Sequence, residues 1–267
     1  MHLSLDEKIV RMTGNRLNKK TEAEVLQTRI WLENIFRTRK ISRGEFTKKI
    51  SKNQEPTGIV LKWLKGIHAA KNSQVSEISK LFPGSQEIYL WPVFELLKNK
   101  PIPVSKLDSL MSEYIVTLAK LKCWDFPQPV HANQGDYPFP PIYLYDSEGL
   151  FERGDVFGFT GILYLVRKAE AERDSDRHFD AMMHAYRAFP AMCRTTPILS
   201  RWREALHCLR LIHARVLTTT MLLRPNIDII EKQIMSKTHI TRRISRERDQ
   251  LTGRFSDIEL PFQIAGF

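Results

Sequence analysis

Cysteine is scarce in this chain. Cys123, Cys193 and Cys208 are scattered over 267 residues. Their odd number and the lack of Cys-x-x-Cys or Cys-x-x-His spacing argue against a disulfide framework and a structural zinc site. A reduced, cytoplasmic setting is therefore expected. Long apolar runs are missing too. The best apolar stretch, Pro197 to Leu223, is crossed by Arg201, Arg203, Glu204, Arg210 and Arg215, so no membrane span is expected. The first twenty residues carry no apolar h-region and do not read as a signal peptide. There is no glycine-rich phosphate loop, no nucleophile elbow and no kinase pattern. Gly154, Gly158 and Gly161 read as isolated turn glycines, and no cofactor is expected. No internal repeat is found, and no apolar alternation is long enough to build a sheet.

What is present is helical periodicity and positive charge. An apolar content of 42%, with 10% aromatics, is enough for a packed core. The net charge is +11, and it is unevenly placed. Residues 1–122 hold 22 Lys+Arg against 12 Asp+Glu, a balance of +10, whereas residues 123–267 hold 19 against 18. A basic half of this kind predicts a polyanion partner.

The same half carries the clearest helix punctuation. Thr21 and Glu24 form a capping box, opening a helix to about Arg39. Ser42 and Glu45 form a second, opening a short helix with Phe46 and Ile50 one turn apart. A polar turn follows, and Pro56 suits the first turn of the next helix. Ile59, Val60, Trp63 and Leu64 give that helix its apolar stripe, with Gly66 as its stop. Val75, Ile78, Leu81 and Phe82 predict a third helix ended by Pro83-Gly84. Two helices held at an angle by Phe46, Ile50, Val60 and Leu64 make a helix-turn-helix arrangement. In it Thr57, Lys62 and Lys65 face outward, and Lys48, Lys49, Lys52 and Asn53 lie where phosphate contacts are expected.

Over about residues 22–97 the pattern resembles the phage-repressor-like helix-turn-helix family, Cro and its bacterial relatives. The matching features are the capped Ser42–Ile50 helix, the Lys62-Trp63-Leu64-Lys65-Gly66 end of the second helix, and the Val75–Phe82 helix after it. Gly44, Gly58, the longer turn, and Thr47 or Lys48 at the usual small-residue position depart from it. The resemblance implies a DNA-binding regulator of transcription, with DNA favoured over RNA.

Beyond this module the reading is coarser. Ser85–Leu97 and Ser105–Lys122 are expected to be helical. Residues 123–150, dense in proline and aromatics, are expected to form an ordered loop. Helices are expected at about 155–173, 176–189, 197–223 and 227–249, broken at Pro190, Pro197 and Pro225. The chain as a whole reads as all-α: an N-terminal helix-turn-helix-like domain, 1–104, and a C-terminal helical bundle, 105–267.

Chemistry in the second half is thinly signalled. Asp174, Asp176, His178, Asp180 and His184 cluster in sequence, but their spacing matches no metal signature, and acids at a helix start suit its dipole. No metal is expected. Arg173 and His178 fit the Arg-x4-His pattern of a family of helical ribonucleases from toxin and antiviral defence systems, where Arg and His flank the scissile phosphate; Arg201 and His207 nearly repeat it. These are the only catalytic candidates. The basic Lys232–Arg248 stretch reads as a solvated helix face, a second nucleic-acid contact or a docking helix. The leading expectation is a cytoplasmic, non-enzymatic DNA-binding regulator whose helical half forms a homodimer or binds a nucleoprotein partner. The alternatives are a defence or toxin-system effector and a protein-interaction adaptor.

Overall fold

The computed structural model describes residues 20–51, 58–120, 147–195, 197–216, 221–236 and 260–266. Among them the fold is all-α apart from one two-stranded ribbon. No helix among the described residues is long and apolar enough to cross a membrane.

The first helix, α1 (Glu22–Arg39), opens with the Thr21–Glu24 box. The Thr21 N–H donates to Glu24 Oε2 (2.8 Å) and the Glu24 N–H to Thr21 Oγ1 (3.3 Å). The next box is also formed: the Ser42 N–H donates to Glu45 Oε2 (2.6 Å) and the Glu45 N–H to Ser42 Oγ (3.2 Å), starting α2 (Arg43–Ser51). Then come α3 (Ile59–Leu64), α4 (Asn72–Leu81), α5 (Gln86–Tyr89), α6 (Pro92–Leu96) and α7 (Val104–Lys120). Leu81, expected in the α4 stripe, is 43% exposed, and Val75, Ile78 and Phe82 form the buried face instead.

Further along, α8 (Ser147–Arg153) begins inside the stretch expected to be loop. It is followed by α9 (Val156–Glu172) and α10 (Ser175–Thr195). Pro190 does not break α10. It lies within the helix, where burial of Phe189, Ala191, Met192 and Cys193 offsets the lost backbone bond. The predicted 197–223 helix is shorter: a 3₁₀ turn (Pro197–Arg201) leads into α11 (Trp202–His213). Residues Met221–Pro225 are instead strand β1, antiparallel to β2 (Phe262–Gly266), with Met221 opposite Gly266 and Pro225 opposite Phe262. Between the strands in sequence lies α12 (Ile227–Met235), capped by Asn226, whose side chain accepts from the Ile229 N–H (3.2 Å).

Gly158 and Gly161 are not turn glycines. Both lie inside α9, where a Cβ on Gly158 would stand 2.1 Å from the Leu150 carbonyl oxygen and one on Gly161 would stand 2.7 Å from Leu150 Cδ2. They let α8 seat on α9. Gly154, at φ 61°, makes the turn between these helices.

Two hydrophobic clusters share α1. Its first half sends Ala23, Leu26 and Ile30 into a large cluster with α6–α12. Its second half sends Trp31, Leu32 and Ile35 into a smaller one with Phe46, Val60, Trp63, Val75, Ile78 and Tyr89. The side-chain spacing of a single helix thus serves two cores on successive turns.

Candidate nucleic-acid interface

The small cluster is what orients α2 and α3. Phe46 is the buried residue of α2, stacked on Phe82 (5.2 Å) and edge-on to Phe36 (5.3 Å). On α3, Val60 and Trp63 are buried, and Trp63 meets Trp31 at 6.4 Å. Ile50 and Leu64 pack half-buried against the same cluster. With these faces turned inward, Lys48 and Lys49 on α2, and Lys62 and Lys65 on and just after α3, are left exposed. Lys49 Nζ lies 5.7 Å over the Phe82 ring. Lys52, Asn53 and Thr57 lie outside the described residues.

Helix α3 begins at Ile59; Pro56, expected in its first turn, lies outside the described residues. Gly58 precedes it at φ 62°, with no side-chain cap. Its end is the one expected at Gly66, in full Schellman form: the Gly66 N–H donates to the Trp63 carbonyl (3.0 Å) and the Ile67 N–H to the Lys62 carbonyl (2.9 Å). Gly66 stands at φ 72°, and a Cβ there would lie 3.1 Å from Val25 Cγ1. Glycine is therefore required both by backbone conformation and by close packing of the α3 terminus on α1. The chain that follows is anchored too. The Ala70 N–H donates to Thr28 Oγ1 (3.0 Å), and Tyr89 Oη donates to the Ala70 carbonyl (3.0 Å).

The charges differ between the two parts of the molecule. Lys48, Lys49, Lys62 and Lys65 form no salt bridge among the described residues, although Glu45, one turn away on α2, feels the charge of Lys48 and Lys49; Arg43, an exposed cation on the same helix that composition alone did not single out, forms none either. Many arginines of the larger cluster are paired: Arg201 with Glu33 and Glu204, Arg203 with Glu231, Arg215 with Glu170 (2.5 Å), and Arg167 with Glu170 (2.8 Å). A cleft of about 1270 Å³ between α1 and α7 contains matched charges, Lys98 with Glu95 (2.5 Å) and Lys106 with Glu95 (3.0 Å), along with Lys71, which forms no salt bridge among the described residues. Beside the exposed lysines, a groove of about 480 Å³ between α2, α3 and α4 has Ile50, Ile59 and Ile78 on its walls and Arg43 and Glu77 among its polar lining.

The ribonuclease-like pair differs in exposure. Arg173 occupies the left-handed position ending α9 (φ 59°) and is exposed, whereas His178 is 1% exposed. Burial, together with the nearby positive charge of His213 and Arg167, lowers the His178 pKa to about 4. Its Nε2 has no hydrogen-bond partner. Around it, His213 Nδ1 and Tyr186 Oη lie 3.1 Å apart, and burial lowers the His213 pKa. His207 and Arg210 are exposed on α11, but Trp202 is buried and lines no groove with them. Among the described residues no three of His, Cys, Asp and Glu converge as metal ligands; Asp180 and His184 do share a face of α10, with His184 Nδ1 against Arg187 Nη1 (3.4 Å).

Compared with known proteins, the chain matches no family model, no curated protein and no solved structure.

Proposed function

We propose that this chain is a nucleic-acid-binding protein that holds duplex DNA against the α2–α3 face. The observation carrying this reading is the set of exposed lysines that form no salt bridge among the described residues, Lys48, Lys49, Lys62 and Lys65, on or at the end of two helices oriented by one apolar cluster; Lys62 and Lys65 have no carboxylate near them there, and Lys48 and Lys49 share only the exposed Glu45. A cation already matched by a carboxylate gains little from a phosphate, whereas an unmatched one releases the counterions condensed on the polyanion. Phosphate contacts from lysines on both helices would fix the protein on the duplex. On this reading the larger cluster serves regulation, self-association or partner binding.

The test is charge reversal. Lys62→Glu with Lys65→Glu should lower duplex-DNA affinity by at least tenfold at moderate salt while leaving the helical circular-dichroism spectrum intact. Unchanged affinity in the folded double variant would remove the α3 face from the interface. The ribonuclease-type reading has less to stand on, because His178 is buried whereas Arg173 is exposed at the end of α9.

A further inference from the structure

Resting on that reading, we infer that the α2–α3 face grips nucleic acid by its phosphates and discriminates little between base sequences. Base reading by a helix-turn-helix relies on the N-terminal residues of its second helix, whose side chains must reach base edges with matched donors and acceptors. Here those positions are Gly58, Ile59, Val60 and Leu61. Gly58 has no side chain, Ile59 is half-buried, Val60 is buried and Leu61 is exposed. None of the four carries a hydrogen-bonding side chain.

The polar residues of α3 come at its other end. Successive residues advance by about 100° around a helix, so Leu61, Lys65 and Lys62 form one continuous outward arc, its N-terminal member apolar and its charged members at the C-terminus. Lysine is a point charge on a flexible stem; it satisfies a phosphate well but lacks the planar fork that arginine, asparagine or glutamine brings to a base edge. On α2 the exposed acceptor Glu45 is already engaged by the Ser42 N–H, and the one planar fork, Arg43, stands alone at the first position of that helix, away from α3's N-terminal residues in sequence. Among the described residues, α3 therefore has the composition of a backbone clamp.

The experiment is a salt series on the full chain with two DNA probes of equal length, a random-sequence pool and the best sequence recovered from repeated selection on that pool. The expected result is a steep fall of affinity with salt and less than a tenfold difference between the probes. Lys62→Gln with Lys65→Gln should reduce the slope of log K against log salt by about 2, equally for both probes. A selected sequence bound a hundredfold more tightly than the pool would overturn the inference while leaving the nucleic-acid reading standing. Binding to neither probe at about 50 mM salt, where phosphate contacts are strongest, would overturn both. An unchanged slope in the folded double glutamine variant would place the phosphate contacts elsewhere and also overturn the inference.

Discussion

Arg29 on α1 and Glu204 on α11 meet with Nη1 2.8 Å from Oε2. Glu204 also takes Arg201 (3.1 Å), which in turn holds Glu33 on α1. Arg29 also lies under the end of α3, its Nη1 3.4 Å from where a Gly66 Cβ would be. One helix is thus tied to the larger cluster at the turn where it supports the candidate interface. Glu204→Gln and Arg29→Met should each lower stability. A double-mutant cycle by urea unfolding should give a coupling of about 1 kcal/mol, as expected for a partly buried pair. A coupling near zero would show that α1 and α11 are joined by apolar packing alone.

Two glycines in the small N-terminal unit should respond oppositely to alanine. Gly66→Ala meets a left-handed backbone and Val25, and should cost about 2 kcal/mol. Gly44 lies in α2 with open space around it, the nearest atom to a Cβ there being Ser42 Oγ at 3.9 Å. Gly44→Ala should stabilise by about 0.5 kcal/mol through the restricted unfolded chain. Thermal melts of the two variants give both signs directly.

Inside α9, Gly158→Ala should be the more damaging of its pair. Its Cβ would collide with a backbone oxygen of Leu150, which cannot rotate away. A loss of about 3 kcal/mol is expected. Gly161→Ala meets only the Leu150 side chain and should cost about 1 kcal/mol. Equal melting temperatures for the two variants would show that α8 shifts as a unit.

His178 sets a pH dependence. Folded, it holds no proton until about pH 4; unfolded, it takes one near its ordinary 6.5. Between those values the unfolded state binds more protons, so stability falls as pH drops through 6.5 and levels off near 4. The full effect is about 3 kcal/mol. His178→Leu should flatten that limb of the stability–pH curve measured by denaturant unfolding. Persistence of the slope would assign it to His213, a half-buried imidazole whose pKa is also depressed.

Local features were legible because their physics is local. A capping box needs only residues three apart, so Thr21–Glu24 and Ser42–Glu45 could be read directly, as could the stop at Gly66 and the inward faces of α2 and α3. The all-α class followed from periodicity for the same reason. The left-handed Gly58 just before α3 was not legible, because composition does not report a backbone angle.

The rest was decided in three dimensions. Strand β1 is an apolar run that resembles a helix until β2, far along the chain, supplies the ladder of backbone bonds that makes it a strand. Pro190 looks like a break until the core around it is seen to outweigh one missing bond. His178 looks like an acid–base candidate until burial strips it of solvent and partner. By itself the sequence determined the helical punctuation, the excess of positive charge in its first half and the exposed lysines of α2 and α3, since each depends on neighbours within a turn or two. Only the tertiary structure decided which charges are matched, which glycines seat another helix and which imidazole is sealed away, because pairing, collision and burial depend on residues that meet through folding, not through sequence.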